Sequence, residues 1–269
     1  MSVISRFRDN ELYFHHTYDE KPNPEKFMMH AHDAYEILYV ISGSGSFGVE
    51  GTHYKIKQGG LFITRPAETH HMVIDSNVPY ERMAIHFSQD TVLPFDKTGE
   101  LLRAFDDREQ GILNCFEQLS DADFCKKCFD RMDEGAAFGR QRIISYLLPV
   151  LNEIRSCFDE SIESHDKVEK SASSELVDYI NRHLFEELSL DKISERFFIS
   201  KSQVNRSFRK ATGSSVWEYV VIKRLLSARN AIKEGVPINE AFRSSGFKDY
   251  STFWRAYKNH FGCTPKDDA

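Results

Sequence analysis

Two segments near the C-terminal end of this chain carry one pattern, and that duplication limits what the chain can fold into. Residues 199–216 read ISKSQVNRSFRKATGSSV and residues 246–265 read GFKDYSTFWRAYKNHFGCTP. Placed in register, Ser200, Arg206, Phe208, Gly213 and Ser215 fall on Asp249, Arg255, Tyr257, Gly262 and Thr264. Each copy supplies a capping side chain, an amphipathic basic helix and a glycine to end it. Two such units are what a chain needs to touch DNA at successive points.

The faces of these helices follow from their spacing. In the first copy Leu190, Ile193 and Phe197 predict a short helix after Ser189, Phe198 and Ile199 make the turn, and Ser200 caps the next helix. On that helix Val204, Phe208 and Ala211 share one side, while Ser202, Asn205, Arg206 and Arg209 share the opposite side. In the second copy Ile238 and Ala241 open the short helix and Asp249 caps its successor. There Phe253, Tyr257 and Phe261 point inward, Ser251, Trp254, Arg255 and Lys258 point outward, and Tyr250 stands near the start. Hydroxyl, amide and guanidinium groups are those that read base edges and grip phosphates. A purely structural all-helical domain would not need arginines at equivalent outward positions in both copies. Between the copies, a helix over residues 216–231 sets their spacing, and the two recognition helices can enter groove segments about one turn, roughly 34 Å, apart.

Charge agrees with this division. The net charge of −6 argues against a nucleic-acid partner until it is split. Residues 1–173 hold 19 Lys+Arg against 29 Asp+Glu, and residues 174–269 hold 16 against 12, so an acidic part at −10 precedes a basic part at +4. A chain of 269 residues with 41% hydrophobic content has room for two packed domains. The opening residues MSVISRFRDN lack the apolar stretch of a signal peptide, and no apolar run reaches membrane-span length, so the expected location is cytoplasmic with no membrane partner. Five cysteines without a framework spacing fit reduced thiols, and Cys125 and Cys128 read as buried residues of a helix rather than a metal or redox pair.

The rest of the chain reads differently. Short β-type runs over residues 26–95, broken by Gly, Pro, Asn and Asp, suggest a sandwich or small barrel. Helix takes over near residue 98. Ile144, Leu147, Leu151, Ile154 and Phe158 form an apolar stripe suited either to the barrel of the same chain or to a second copy, and Pro149 predicts a kink or a split there. Residues 159–173 read as a polar linker, with Ser173 or Ser174 capping the first helix beyond it.

The string Gly246-Phe247, Asp249-Tyr250-Ser251, Phe253, Arg255, Tyr257-Lys258, Phe261-Gly262 and Pro265 resembles the DNA-binding domain of the AraC/XylS family of transcription regulators, over about residues 174–265. The resemblance implies that Ser202, Asn205 and Arg206 read bases in the first copy. Tyr250, Ser251, Trp254 and Arg255 are their counterparts in the second, and Lys201, Arg209 and Lys258 contact phosphates. Two departures stand out. Ala241-Phe242 reverses the family's usual large-apolar-then-Ala order, and Lys266-Asp267-Asp268-Ala269 replaces the usual aromatic and arginine, which would weaken a terminal phosphate contact.

Upstream, His30-Ala31-His32, Glu36 and Gly43 spell H-x-H-x3-E-x6-G, followed by Gly60, Pro66 and the pair His70-His71. This resembles the two motifs of the cupin barrel, which is also the usual sensor fold of that regulator family. On a strand, both histidines of the H-x-H and Glu36 would share one face. His70 and His71 point to opposite faces, so only one can join them. Three uses remain open. The set His30, His32, Glu36 and His70 can line an effector pocket for a polar ligand such as a sugar. The same set, with His70 or His71, can hold a divalent metal, although Glu68 stands where the second motif has glycine. Otherwise the histidines are polar residues at a barrel mouth.

The expected protein is therefore an α+β two-domain chain. Residues 1–97 form a cupin-like effector-sensing barrel, 98–158 a helical region that pairs two subunits, 159–173 a linker, and 174–269 a double helix-turn-helix DNA-binding domain. Its expected function is sequence-specific transcription regulation, as an activator by resemblance, under a small-molecule effector. No catalytic residues and no cofactor are assigned. Expected partners are double-stranded promoter DNA, the effector, a second copy and, for an activator, RNA polymerase. The alternative is a metal-dependent cupin enzyme or metal sensor fused to a DNA-binding domain.

Overall fold

In a computed structural model, residues 2–116, 119, 121–163 and 172–269 are described. The described residues form nine strands, eight of them before any α-helix: β1 (Ser2–Arg8), β2 (Leu12–Asp19), β3 (Tyr35–Ser42), β4 (Gly45–Val49), β5 (Thr52–Ile56), β6 (Leu61–Thr64), β7 (His70–Ile74), β8 (Tyr80–Phe87) and, later, β9 (Cys115–Phe116). They form a six-stranded sheet in the order β1-β2-β8-β3-β6-β9 and a three-stranded sheet in the order β5-β4-β7, with antiparallel pairing throughout. The fold class is as expected, a cupin-like β-rich half followed by an all-helical half.

Period-two alternation along β3 explains why both faces of the large sheet are covered. Leu38 and Val40 turn toward the small sheet and pack with Phe47, Val49, Phe62, Met72, Ile74 and Tyr80. Ile37 and Tyr39 turn the other way, into a core shared with α3 (Ala122–Gly135) and α4 (Arg140–Glu163). Two short helices, α1 (Gln89–Val92) and α2 (Arg103–Asp106), lead into that layer. Tyr39 stacks on Phe129 at 4.9 Å, and Cys125 and Cys128 are buried in this same core.

The apolar stripe of α4 is taken up by its own chain, with Leu147, Leu151 and Ile154 fully buried in the core that also holds α3 and one face of the large sheet. Pro149 lies inside α4 without splitting it. The apolar contacts on both sides of the proline outweigh one missing backbone hydrogen bond. Of the residues expected to be a linker, 159–163 continue α4, 172–173 begin the next helix, and 164–171 lie outside the described residues. Ser173 and Ser174 sit within that helix and do not cap it.

The C-terminal half comprises α5 (Ala172–Arg182), α6 (Leu190–Phe197), α7 (Lys201–Thr212), α8 (Val216–Lys233), α9 (Ile238–Ser244) and α10 (Tyr250–Phe261). Capping makes the repeat visible. Ser189 accepts a hydrogen bond from the Lys192 amide, Ser200 and Gln203 cap reciprocally, Ser215 and Glu218 do the same, and Asp249 accepts from the Thr252 amide. Gly213 and Gly262 close α7 and α10 at φ of 78° and 74°, a left-handed backbone that glycine adopts without strain. Ser200→Ala should lower the unfolding free energy by about 1 kcal/mol in urea melts. A change below a few tenths would show that α7 does not depend on this cap.

Two small cores result. Ile193, Val204, Phe208, Val216 and Tyr219 make one, and Leu225, Ile232, Ala241, Phe253 and Tyr257 make the other. Helix α8 belongs to both, so it fixes their separation.

Candidate functional site

Three arrangements could carry function. The first is the outward face of α7 and α10. Lys201, Ser202, Arg206 and Arg209 are exposed on α7, with Asn205 half-buried between them. On α10 Tyr250, Ser251, Arg255 and Lys258 are exposed and Trp254 is half-buried. Lys201 pairs with Asp191 at 2.5 Å, and the Lys258 ammonium lies 5.3 Å from the Trp254 ring centroid. The Ala241-Phe242 reversal has a visible consequence: Ala241 is buried, while Phe242 meets Tyr250 edge-on at 5.3 Å and Phe253 at 5.6 Å. The acidic end is folded back as well. Asp268 takes two hydrogen bonds from Arg229, at 2.9 and 3.1 Å, and one from the Tyr257 hydroxyl at 2.7 Å. It braces the second core.

The second arrangement lies at one end of the space between the sheets. Glu36 is buried on β3. Its carboxylate is within 3.1 Å of Nε2 of His32, of His70 and of His86. Burial by itself would raise the Glu36 pKa, but the imidazoles of His32, His70 and His86 overcome it and hold the carboxyl well below its ordinary value. Burial pushes His86 down to about 3, with Glu36 opposing. For His70, burial is outweighed by Glu36 and the pKa rises.

The structure brings His32, Glu36 and His70 together but leaves His30 at the rim. The H-x-H segment is a loop, not a strand, so alternation does not align its side chains. His30 Nδ1 donates to the Met28 carbonyl at 2.9 Å, and its ring rests 4.3 Å from that of His70. His71 faces the other way, toward Gly213 after α7. Glu68, in place of the motif glycine, is buried and chelates Arg108 through contacts of 2.7 and 2.5 Å. It also accepts from Asn114 and from the Gly111 amide. Burial would raise its pKa, but Arg108 brings it to about 2.

His86 was not singled out in the sequence. It pairs with Glu36 across β8 and β3, inward like Ala84 two residues before it. That alternation was the available signal.

The third arrangement joins the halves. Glu50, at the tip of the β4–β5 hairpin, is 3% exposed and sits at φ +48°, followed by Gly51 at +85°. Side chains other than Gly, Asn and Asp rarely take the first position of such a turn. The Glu50 carboxylate accepts from the Thr69 amide at 2.7 Å, Thr69 Oγ1 at 3.0 Å, Asn181 Nδ2 at 2.8 Å, Lys223 Nζ at 2.7 Å and the Tyr219 hydroxyl. Asn181 belongs to α5, Tyr219 and Lys223 to α8. At the far end of α8, Lys233 pairs with Asp33 at 2.5 Å. Tyr219, Lys223 and Lys233 lie on one side of the helix, four and ten residues apart in turn. The N-terminal half therefore grips the helix that spaces the two helix-turn-helix units.

Comparison with known proteins agrees with both halves. Residues 17–125 match the AraC-like ligand binding domain, and residues 193–268 match a helix-turn-helix domain. This chain belongs to the AraC family of transcription regulators. A curated relative, the HTH-type transcriptional activator RhaS of Salmonella schwarzengrund, is 24% identical over 250 residues, covering 90% of this chain and 87% of RhaS. Among solved structures, apo ToxT K231A from Vibrio cholerae aligns over 97% of this chain and 98% of its own at 12% identity and a TM-score of 0.42. The DNA-binding domain of AdpA, solved with a target DNA, covers 36% of this chain and 89% of its own at 21% identity and a TM-score of 0.35. Among the described residues of this AraC-family regulator, no helix is long and apolar enough to cross a membrane.

Proposed function

We propose that this regulator activates transcription by binding promoter DNA through α7 and α10, with its affinity set by whether the N-terminal half holds α8. The observation that carries this reading is the placement of Glu50 and Asp33 on α8 while the faces of α7 and α10 stay open to solvent. Ser202, Asn205, Arg206, Tyr250, Ser251, Trp254 and Arg255 read bases. Lys201, Arg209 and Lys258 hold phosphates.

The effector site is the polar end of the β-sandwich. Its own groups are His32, Glu36 and His70, with His30 at the rim. A cavity of about 420 Å³ opens onto it, lined by Tyr13, His32, Asp33, His86, Ser88 and Lys233. Because Lys233 belongs to α8, an occupant there meets both halves at once. An effector that favours one arrangement of the halves shifts the population, and one that binds both equally shifts nothing. A small polar effector, such as a sugar, fits donors and acceptors of this kind.

The working division is residues 1–97 for sensing, 98–158 for the supporting helices, 159–173 for the connection and 174–269 for DNA. The regulator acts in the cytoplasm as a homodimer and engages RNA polymerase. Pairing uses a surface other than the α4 stripe, which is buried. Its chemistry is recognition and not catalysis.

Arg209→Ala tests the DNA assignment. It should weaken binding to all sequences alike and reduce the slope of log affinity against log salt by about 1. An unchanged slope would remove Arg209 from the phosphate contacts.

A further inference from the structure

We propose that His32, Glu36, His70 and His86 form a binding site for a divalent first-row transition metal, held by imidazole nitrogens and one carboxylate. The proposal rests on the geometry of the cluster and does not depend on which molecule switches DNA binding.

Proton placement is the first argument. Nδ1 of His32 lies 2.9 Å from the Ala34 carbonyl, and Nδ1 of His70 lies 3.0 Å from the Glu68 carbonyl. A carbonyl oxygen only accepts, so each Nδ1 carries the hydrogen. In the neutral ring, Nε2 then keeps its lone pair. Both Nε2 atoms point at the cluster. This is the outer-shell pattern of metal-bound histidine, in which the second ring nitrogen donates to a backbone carbonyl and fixes the tautomer.

The second argument is what the ring nitrogens meet. Nε2 of His70 and Nε2 of His86 come within 3.1 Å of Glu36, yet neither is aligned for a hydrogen bond with any group. His70 is 1% exposed, so water does not reach it freely. With their hydrogens fixed on Nδ1, the neutral rings of His32 and His70 both turn bare Nε2 lone pairs toward the Glu36 carboxylate, an acceptor facing acceptors. A single divalent cation among the donors removes that conflict. Donor atoms of His32, Glu36 and His86 already lie within 4.8 Å of one another. Metal–nitrogen bonds of about 2.0–2.1 Å place donors roughly 3.3 Å apart in a tetrahedron, so small side-chain rotations close the site.

The third argument is access. The cavity beside α8 reaches His32 and His86, and it is flanked by the Lys233–Asp33 pair. The donors come from a loop and three strands, β3, β7 and β8, so the sheet framework holds them in place before any ion binds. This set differs from the one suggested by the H-x-H motif. His86 takes part and His30 does not. Imidazole and carboxylate donors select Zn²⁺, Fe²⁺, Co²⁺ or Ni²⁺ over Ca²⁺ and Mg²⁺.

The test uses the full chain without a histidine tag, stripped with a chelator and dialysed. Zn²⁺ and Co²⁺ alone are titrated in by calorimetry, and the zinc form is examined by X-ray absorption. The expected result is one ion per chain, with imidazole scattering from about three histidines and no sulfur shell. His86→Gln and Glu36→Gln should each weaken binding by about 10-fold to 100-fold or more. His183→Ala, on the surface of the helical half, should leave it unchanged. Unfolding of each variant in chelator separates a lost ligand from a lost fold. If a variant does not fold, the absorption spectrum of the unaltered protein still decides. Failure to bind either ion stoichiometrically, a sulfur-containing shell, or undiminished binding in folded His86→Gln would overturn the site. Metal bound at this site without any change in DNA affinity would leave it standing and count against the sensing role given to this end of the sandwich.

Discussion

Replacing Glu50 by alanine is expected to release the DNA-binding half from the sensor half and to make DNA affinity independent of effector. The carboxylate is buried and accepts from groups in three places: Thr69 within the sensor, Asn181 on α5, and Tyr219 and Lys223 on α8. Lys223 is itself only 5% exposed. Taking away one partner of a buried pair leaves the other charge without compensation, which costs about 3–5 kcal/mol. Here the molecule has a way to relieve that penalty, because α8 can move into water and hydrate Lys223. The penalty therefore falls on docking rather than on folding, and the docked population should drop by about two to three and a half powers of ten. Small-angle scattering should report a larger radius of gyration, and amides near Tyr219 and Lys223 should exchange faster. Gly51→Val supplies an independent route to the same state. A Cβ at Gly51 would lie 2.9 Å from Val177 Cγ2, and its φ of +85° disfavours a branched side chain. Unchanged scattering and exchange in both variants would show that the docked contact does not hold the halves.

The parts legible in the sequence were those whose signals are local. A cap, a run with period 3.6 and a closing glycine lie within about four turns of each other, so the α6–α7 and α9–α10 units could be read without knowing the fold. The same holds for the inward faces, where Val204, Phe208, Phe253 and Tyr257 are all fully buried. What was not legible depends on distant pairing. Glu50 meets Tyr219 across 169 residues and Lys223 across 173. Nothing in either neighbourhood marks a glutamate in a hairpin turn as a partner for a lysine on a helix. His86 joins Glu36 only because β8 and β3 are neighbours in the sheet order. The choice between His70 and His71 needed the direction of β7, since adjacent residues on a strand face opposite ways. The H-x-H segment failed for a related reason: strand alternation was assumed where the chain is a loop closed by the Ala67 amide on the His32 carbonyl at 2.9 Å.

Arg206→Ala and Arg255→Ala are expected to weaken specific DNA binding by about 1–3 kcal/mol each, and the double variant by about the sum. Both side chains are exposed on the first half of their helices, α7 and α10, where a recognition helix meets base edges. Arg255 Nε leans on the Ser251 carbonyl at 3.3 Å, which directs its guanidinium toward the helix start. The two arginines occupy equivalent places in units with separate cores, so their effects should add. The double variant should then lose about 30-fold to 20,000-fold on its own operator while keeping most of its weak affinity for unrelated DNA. The two units should not read the same bases. Around Arg206 stand Ser202 and Asn205, which are small and polar. Around Arg255 stand Trp254 and Tyr250, the latter braced by Phe242. A site selected from random DNA should therefore contain two dissimilar half-sites about one helical turn apart, each lost separately with its own arginine. Loss of affinity that is equal on operator and random DNA would move both arginines to the phosphate contacts, and no loss at all would take α7 and α10 off the DNA.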